Sequence, residues 1–245
     1  TPLPDGASTD FGDNADGMSR MDERGDSVFY TSPRMVQHLD ARALETVNAL
    51  YRRLIPAQAD VLDLMSSHDS HLQGCSLGSL HVLGLNAQEL GANRAATAQL
   101  VQDLNKEKAL PFEDASLDTV VCTASVEYLI KPCDIFTEVL RVLRPGGVFV
   151  TTFSNRWFPT KAIQVWGQLH EFERVGMVTQ WLQHEGFTKL HTCSYRGWPR
   201  PTDESRRLRW QGRCRYVPSS DPLLDPGGHC CHRRRPRDGL RPGGG

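Results

Sequence analysis

Leu110-Pro-Phe-Glu-Asp-Ala-Ser-Leu-Asp-Thr-Val-Val-Cys-Thr123, with Cys133-Asp-Ile-Phe-Thr-Glu-Val-Leu-Arg-Val-Leu-Arg-Pro-Gly-Gly147 close behind it, is the stretch that decides the fold. Leu117–Thr123 is a short run of mostly apolar, β-branched residues, as expected for a strand buried on both faces. From Cys133 to Leu143 the apolar side chains fall at Ile135, Val139, Leu140, Val142 and Leu143, which is helical spacing. Pro145 cannot continue that helix, and Gly146 and Gly147 give the backbone freedom to turn into a further apolar strand, Val148–Phe153. Strand, helix and strand in this order make a parallel crossover unit.

Outward from this unit the alternation continues. Towards the N-terminus lie strands at Asp60–Met65, His81–Leu85 and Thr97–Leu104, a short helix at Gln88–Asn93 and a longer one expected over Pro33–Leu54. Towards the C-terminus, helices are expected at Lys161–Gly167 and Phe172–Glu185, with a sixth strand at Phe187–Ser194. Alternating elements with fully apolar strands predict an α/β fold, a doubly wound, mostly parallel sheet covered on both faces. In such sheets a ligand binds beyond the carboxyl ends of the strands, where strand order reverses, so function is sought in the loops after the first four strands.

The ends of the chain read differently. Residues 1–27 carry seven acids and two arginines with few apolar groups, which predicts a disordered acidic tail. Residues 197–245 are rich in Arg, Pro and Gly and predict a second tail, leaving 28–196 as the folded domain. The formal net charge of −1 over 245 residues gives no whole-chain case for nucleic-acid or membrane-surface binding, and the arginine-rich end is the only hint of the former. No run approaches the roughly 18 apolar residues of a membrane span. Seven scattered cysteines do not read as a disulfide framework, so a cytoplasmic or other reducing intracellular compartment is expected.

The loops, taken with the 110–147 stretch, resemble class I S-adenosylmethionine-dependent methyltransferases of the type 11 group. The resemblance rests on the Leu-Pro-Phe turn at 110–112, the fourth strand after Asp118, and Glu138-Val-Leu-Arg-Val-Leu-Arg-Pro-Gly-Gly147, and it extends over 60–195. It implies a Rossmann-like methyltransferase fold, S-adenosyl-L-methionine as cofactor, and methyl transfer to a small-molecule acceptor. It implies Asp103 near the adenine amino group, with Leu104 beside it; a carboxylate only accepts hydrogen bonds and suits that donor. The alternative for Asp103 is a turn-initiating residue. Asn86 stands where the family places the ribose-binding acid, and Glu89, one turn on, is a substitute for it. The first loop departs from the family pattern: after the matching Asp63, Leu64-Met-Ser-Ser-His-Asp-Ser-His-Leu72 holds no glycine. Asp63, Met65, Ser66 and Ser67 are nevertheless the expected cofactor residues there. The missing glycines also leave open a catalytically inactive, methyltransferase-like binding or scaffold protein.

For the acceptor, Tyr128 and Asn155 are the candidate catalytic residues, Tyr128 to orient or deprotonate it. Glu127 precedes Tyr128; Asn155, Arg156 and Lys161 are candidates to hold an anionic substrate, with solvated loop residues as the alternative; and Phe29, Tyr30 and Arg34 are candidates for a lid. His68 and His71, and the His229-Cys-Cys-His232 cluster, lack the ligand number or spacing of a zinc site, so no metal is expected. The family sheet ends in a seventh, antiparallel strand; Pro218 and Pro222 break Val217–Leu224, so that strand is expected to be poorly formed or missing.

Overall fold

The computed structural model describes residues 15–195 and 230–232. Its sheet contains β1 (Ala59–Leu64), β2 (Leu77–Gly84), β3 (Ala98–Val101), β4 (Leu117–Thr123), β5 (Leu143–Thr152), β6 (Thr188–His191) and β7 (Cys230–His232), in the spatial order β3-β2-β1-β4-β5-β7-β6. The first five strands pair in parallel. β7 is antiparallel to both of its neighbours, β5 and β6. The seventh strand is therefore present as three residues, beyond Val217–Leu224, which lies outside the described residues; β7 falls within the stretch expected to be a tail.

Helices α1 (Asp26–Phe29), α2 (Ala41–Leu54), α3 (Ala87–Ala92), α4 (Pro132–Val142), α5 (Gln164–Gln168) and α6 (Glu171–His184) accompany the sheet. Two apolar layers result. One packs Phe136, Val139, Trp166, Met177 and Trp181 with Leu62, Val120 and Phe149; the other packs Val47, Tyr51 and Leu90 with Val61, Val82 and Val150. Adjacent strand residues such as Leu62 and Val61 face opposite layers, which is why these strands read as unbroken apolar runs.

Three expectations are corrected. The second helix starts at Ala41, because Asp40 caps it by accepting from the Ala43 N–H at 2.9 Å; residues 33–39 form an irregular segment instead. The helix expected from Lys161 begins at Gln164. Residues 15–27 are packed onto the domain. Arg20 forms a bridge with Ile163 and donates two hydrogen bonds, 2.8 and 2.9 Å, to the buried Asp26 carboxylate. Asp26 also lies 3.2 Å from the Lys161 Nζ, which in turn donates to the carbonyls of Asp22 and Arg24. The acids of this segment thus neutralise a lysine that is 1% exposed, a role invisible to local composition.

Candidate functional site

Strand order reverses between β1, whose neighbours are β2 and β4, and the carboxyl ends of these three strands open into one cavity of about 300 Å³. That lies at the lower end of the range of about 300–1,000 Å³ typical of small-molecule sites. Met65, Ser66 and Ser67 from the first loop, Gly84 to Asn86 after β2, Gln102 to Asn105 after β3, and Ala124, Ser125 and Tyr128 after β4 line it. Arg34, His38 and Tyr30 from the N-terminal segment, and Arg156, Trp157 and Phe158 after β5, complete the wall.

The glycine-poor loop does not fill the cavity. Met65 takes the left-handed conformation that glycine adopts freely, φ +58°, and its side chain packs against the core while still lining the site. The Ser66 N–H donates to the Leu83 carbonyl at 2.7 Å, pulling the loop onto β2. That approach requires Gly84: a Cβ there would stand 2.3 Å from the Ser66 carbonyl oxygen. Asp63 is buried one layer below, in a smaller neighbouring recess shared with His68 and His71, and its carboxylate accepts from the Ser66 hydroxyl. Burial pushes its pKa up to about 7. Among the described residues no cluster of three or more His, Cys, Asp or Glu is placed to hold a metal.

Asp103 lies at the cavity beside Leu104. One carboxylate oxygen accepts from the Asn105 N–H at 3.1 Å; the other, Oδ2, is buried without a hydrogen bond and stands 3.5 Å from Lys106 Nζ. Asp103 therefore caps a turn and pairs with Lys106 while lining the cavity. Asn86 is saturated within the fold. Its amide oxygen accepts from the N–H groups of Gln88 and Glu89, capping α3, and its NH₂ donates to the Tyr30 and Thr31 carbonyls. The carboxylate at this end of the site is Glu89, which accepts from the Arg34 N–H at 2.7 Å and from the Ser67 hydroxyl.

On the opposite wall, the Tyr128 hydroxyl accepts from the Phe158 N–H at 2.9 Å. Burial first, then the nearby Glu127 carboxyl, raise its pKa well above the ordinary tyrosine range, so it stays protonated and does not act as a base. Asn155 is exposed and does not line the cavity; its neighbours Arg156, Trp157 and Phe158 do. Lys161 is occupied by the buried ion pairs described above and does not reach the cavity. Glu127 is fully buried, neither oxygen has a hydrogen bond, and burial raises its pKa to about 8.

Arg34, a lid candidate in the sequence, and His38, which had no assigned role there, both approach the Phe158 ring, each 5.4 Å from its centroid. The Arg34 guanidinium stacks over Phe29 at 4.4 Å and donates to its carbonyl, and no carboxylate pairs with it among the described residues. The sequence signal was weak: apolar spacing over 33–54 reads the segment as helix, and the ring both residues meet, Phe158, lies more than a hundred positions along the chain.

A parallel sheet with an antiparallel last strand in this order, and a cavity at its switch point, define a Rossmann-like fold of the methyltransferase class. Residues 72–151 match the family model of a methyltransferase domain, type 11. That match begins directly after the glycine-poor loop. Over 47 residues the chain is 47% identical to a probable S-adenosylmethionine-dependent methyltransferase of Mycolicibacterium smegmatis, which covers 19% of this chain and 18% of that protein. Over 66 residues it is 30% identical to the malonyl-[acyl-carrier protein] O-methyltransferase of a Marinomonas species, covering 27% and 24%. The chain thus spans about a fifth to a quarter of the length of these curated relatives. The putative methyltransferase solved in complex with the Trm112 activator of Haloferax volcanii superposes with a TM-score of 0.50 at 20% identity, over 65% of this chain and 75% of that one. At that identity the likeness concerns the fold. Among the described residues no helix is long and apolar enough to cross a membrane.

Proposed function

We propose that this chain binds S-adenosyl-L-methionine in the switch-point cavity and catalyses methyl transfer to a small-molecule acceptor. The observation that carries this reading is the cavity at the switch point itself, lined at one end by Asp103, a carboxylate that suits an adenine amino donor and whose Oδ2 accepts no hydrogen bond beside Lys106. Glu89 takes the ribose end in place of Asn86, and the first loop, Met65 to Ser67, faces the methionine portion. When bound, the cofactor supplies an activated methyl group on a sulfonium. The chain contributes orientation and exclusion of water, with Tyr128, Trp157 and Phe158 closing the acceptor side.

Calorimetric titration of the full chain with S-adenosylhomocysteine tests this, and micromolar binding is expected. An Asp103→Ala variant loses one hydrogen bond to a charged acceptor, worth about 1.5–3 kcal/mol, and its affinity should fall by roughly 10- to 150-fold. Absence of binding by the unaltered chain would favour the scaffold reading, which the saturated Asn86 amide and the bulky Met65 support.

A further inference from the structure

We propose that His38 is the general base for a ring-bearing hydroxyl acceptor held among Tyr30, Tyr128, Trp157 and Phe158. The inference rests on the methyl-transfer reading above and adds the acceptor's chemistry to it. Four aromatic side chains line the cavity, Tyr128 and Phe158 with their ring centroids 6.0 Å apart, a lining that suits a flat ring. A neutral hydroxyl on that ring must lose its proton as its oxygen attacks, and the cavity offers few groups able to take it.

The other titratable side chains on the cavity wall are committed elsewhere. Asp26 is buried, yet hydrogen bonds from Asn105 and Arg20 hold its carboxyl below the ordinary range, so it is a weak base. Glu89 is engaged at both oxygens, and Asp103 lies at the far end of the site, after β3. Burial keeps the Tyr30 and Tyr128 hydroxyls protonated. Arg34 and Arg156 do not give up a proton in this range. His38 remains. Its imidazole nitrogens have no hydrogen-bond partner among the described residues, it lines both the cavity and the neighbouring recess, and it is exposed enough to pass a proton to water.

The titratable and charged groups facing the imidazole are Glu89 on α3, Arg34 on its own segment, and His68 and His71 on the loop after β1. Desolvation lowers the His38 pKa below 6.5; Glu89 opposes this, and Arg34 and His68 add to it, so the ring is neutral at pH 7. Arg34, which lines the same cavity and approaches the same Phe158 ring at 5.4 Å, stabilises the oxygen as it becomes anionic. In the step itself the acceptor O–H proton moves to the imidazole, and the oxygen lone pair forms the new bond to the methyl carbon. The carbon–sulfur bond breaks with its electron pair going to sulfur, and the imidazolium releases its proton to solvent.

The test uses two probe acceptors at pH 7.8 with S-adenosyl-L-methionine: 4-methylphenol, which is protonated there, and 4-nitrophenol, which is mostly ionised. His38→Gln is expected to lower kcat/KM for 4-methylphenol by about 100-fold, with 4-nitrophenol changed less than about threefold. The rise of the 4-methylphenol rate with pH through the His38 midpoint should vanish in the variant. Independently of turnover, histidine NMR should show one imidazole that titrates below pH 6.5, is absent from His38→Gln, and shifts when 4-methylphenol is added to the S-adenosylhomocysteine complex. Equal loss for both phenols, no loss for either, no methylation of either, or an imidazole indifferent to 4-methylphenol would each overturn the proposal. Failure to bind S-adenosylhomocysteine in the first place would instead overturn the methyl-transfer reading.

Discussion

Replacing Gly84 by alanine concentrates its damage on one contact. The added Cβ would lie 2.3 Å from the Ser66 carbonyl oxygen and 3.2 Å from Leu90 Cδ2. The first of these is backbone and cannot rotate away, so either β2 or the first loop must move. Overpacking of this kind costs about 1–3 kcal/mol. A shift of the loop also strains the hydrogen bond from the Ser66 N–H to the Leu83 carbonyl, adding about 1 kcal/mol. With a urea dependence of about 2 kcal/mol per molar, a loss of about 2–4 kcal/mol lowers the unfolding midpoint by about 1–2 M. Gly91→Ala is the control. Its Cβ would meet nothing closer than Gln99 Oε1 at 4.0 Å, and in helix α3 it should raise stability by roughly 0.5 kcal/mol. Urea unfolding followed by circular dichroism measures both. A Gly84→Ala midpoint within about 0.3 M of the unaltered chain would refute the close packing of the glycine-poor loop on β2.

Other expectations follow from single groups. Lys161→Ala removes the cation that faces Asp22 and Asp26 in a buried cluster and should cost about 3–5 kcal/mol, seen as a lowered thermal midpoint; an unchanged midpoint would mean the N-terminal segment does not seal that site. Glu127 binds its proton more tightly in the folded chain than in the unfolded one, so it makes stability fall as pH rises from about 4.5 to about 8. Glu127→Gln should therefore gain more stability at pH 8.5 than at pH 4.5, and equal urea midpoint shifts at the two pH values would contradict the buried, unpaired acid. Asp63, raised to about 7 by burial, acts in the same direction, and Asp63→Asn should flatten the fall below pH 7 in the same measurement.

The elements that bury both faces were legible in the sequence because their signal is local. β4 occupies the residues its apolar run marks, and α4 ends at Val142, but the expected turn at Arg144-Pro-Gly-Gly147 is instead the start of β5, which begins at Leu143 rather than Val148, with Gly146 at φ +88°. Of the residues that the family resemblance singled out, Met65, Ser66, Ser67, Asp103, Leu104 and Tyr128 line the cavity. What was not legible depends on partners far along the chain. Asn86 could not be known to be saturated without the carbonyls of Tyr30 and Thr31, more than fifty positions away. Nor could the acids at 22 and 26 be known to fold without Lys161. Arg34 and His38 sit in a segment whose apolar spacing imitates a helix, and only the cap at Asp40 decides otherwise.

The salt-linked knot of Arg20, Asp26 and Lys161 has a practical side. Anyone trimming this polypeptide at Ser27, on the ground that an acidic leader is dispensable, would cut away both counter-charges of an ammonium sealed inside the protein, together with a piece of the ligand chamber's own wall. The shortened product would be expected to hydrate that lysine by loosening the loop it sits on. A lost activity in such a fragment would then report the scissors, not the catalyst.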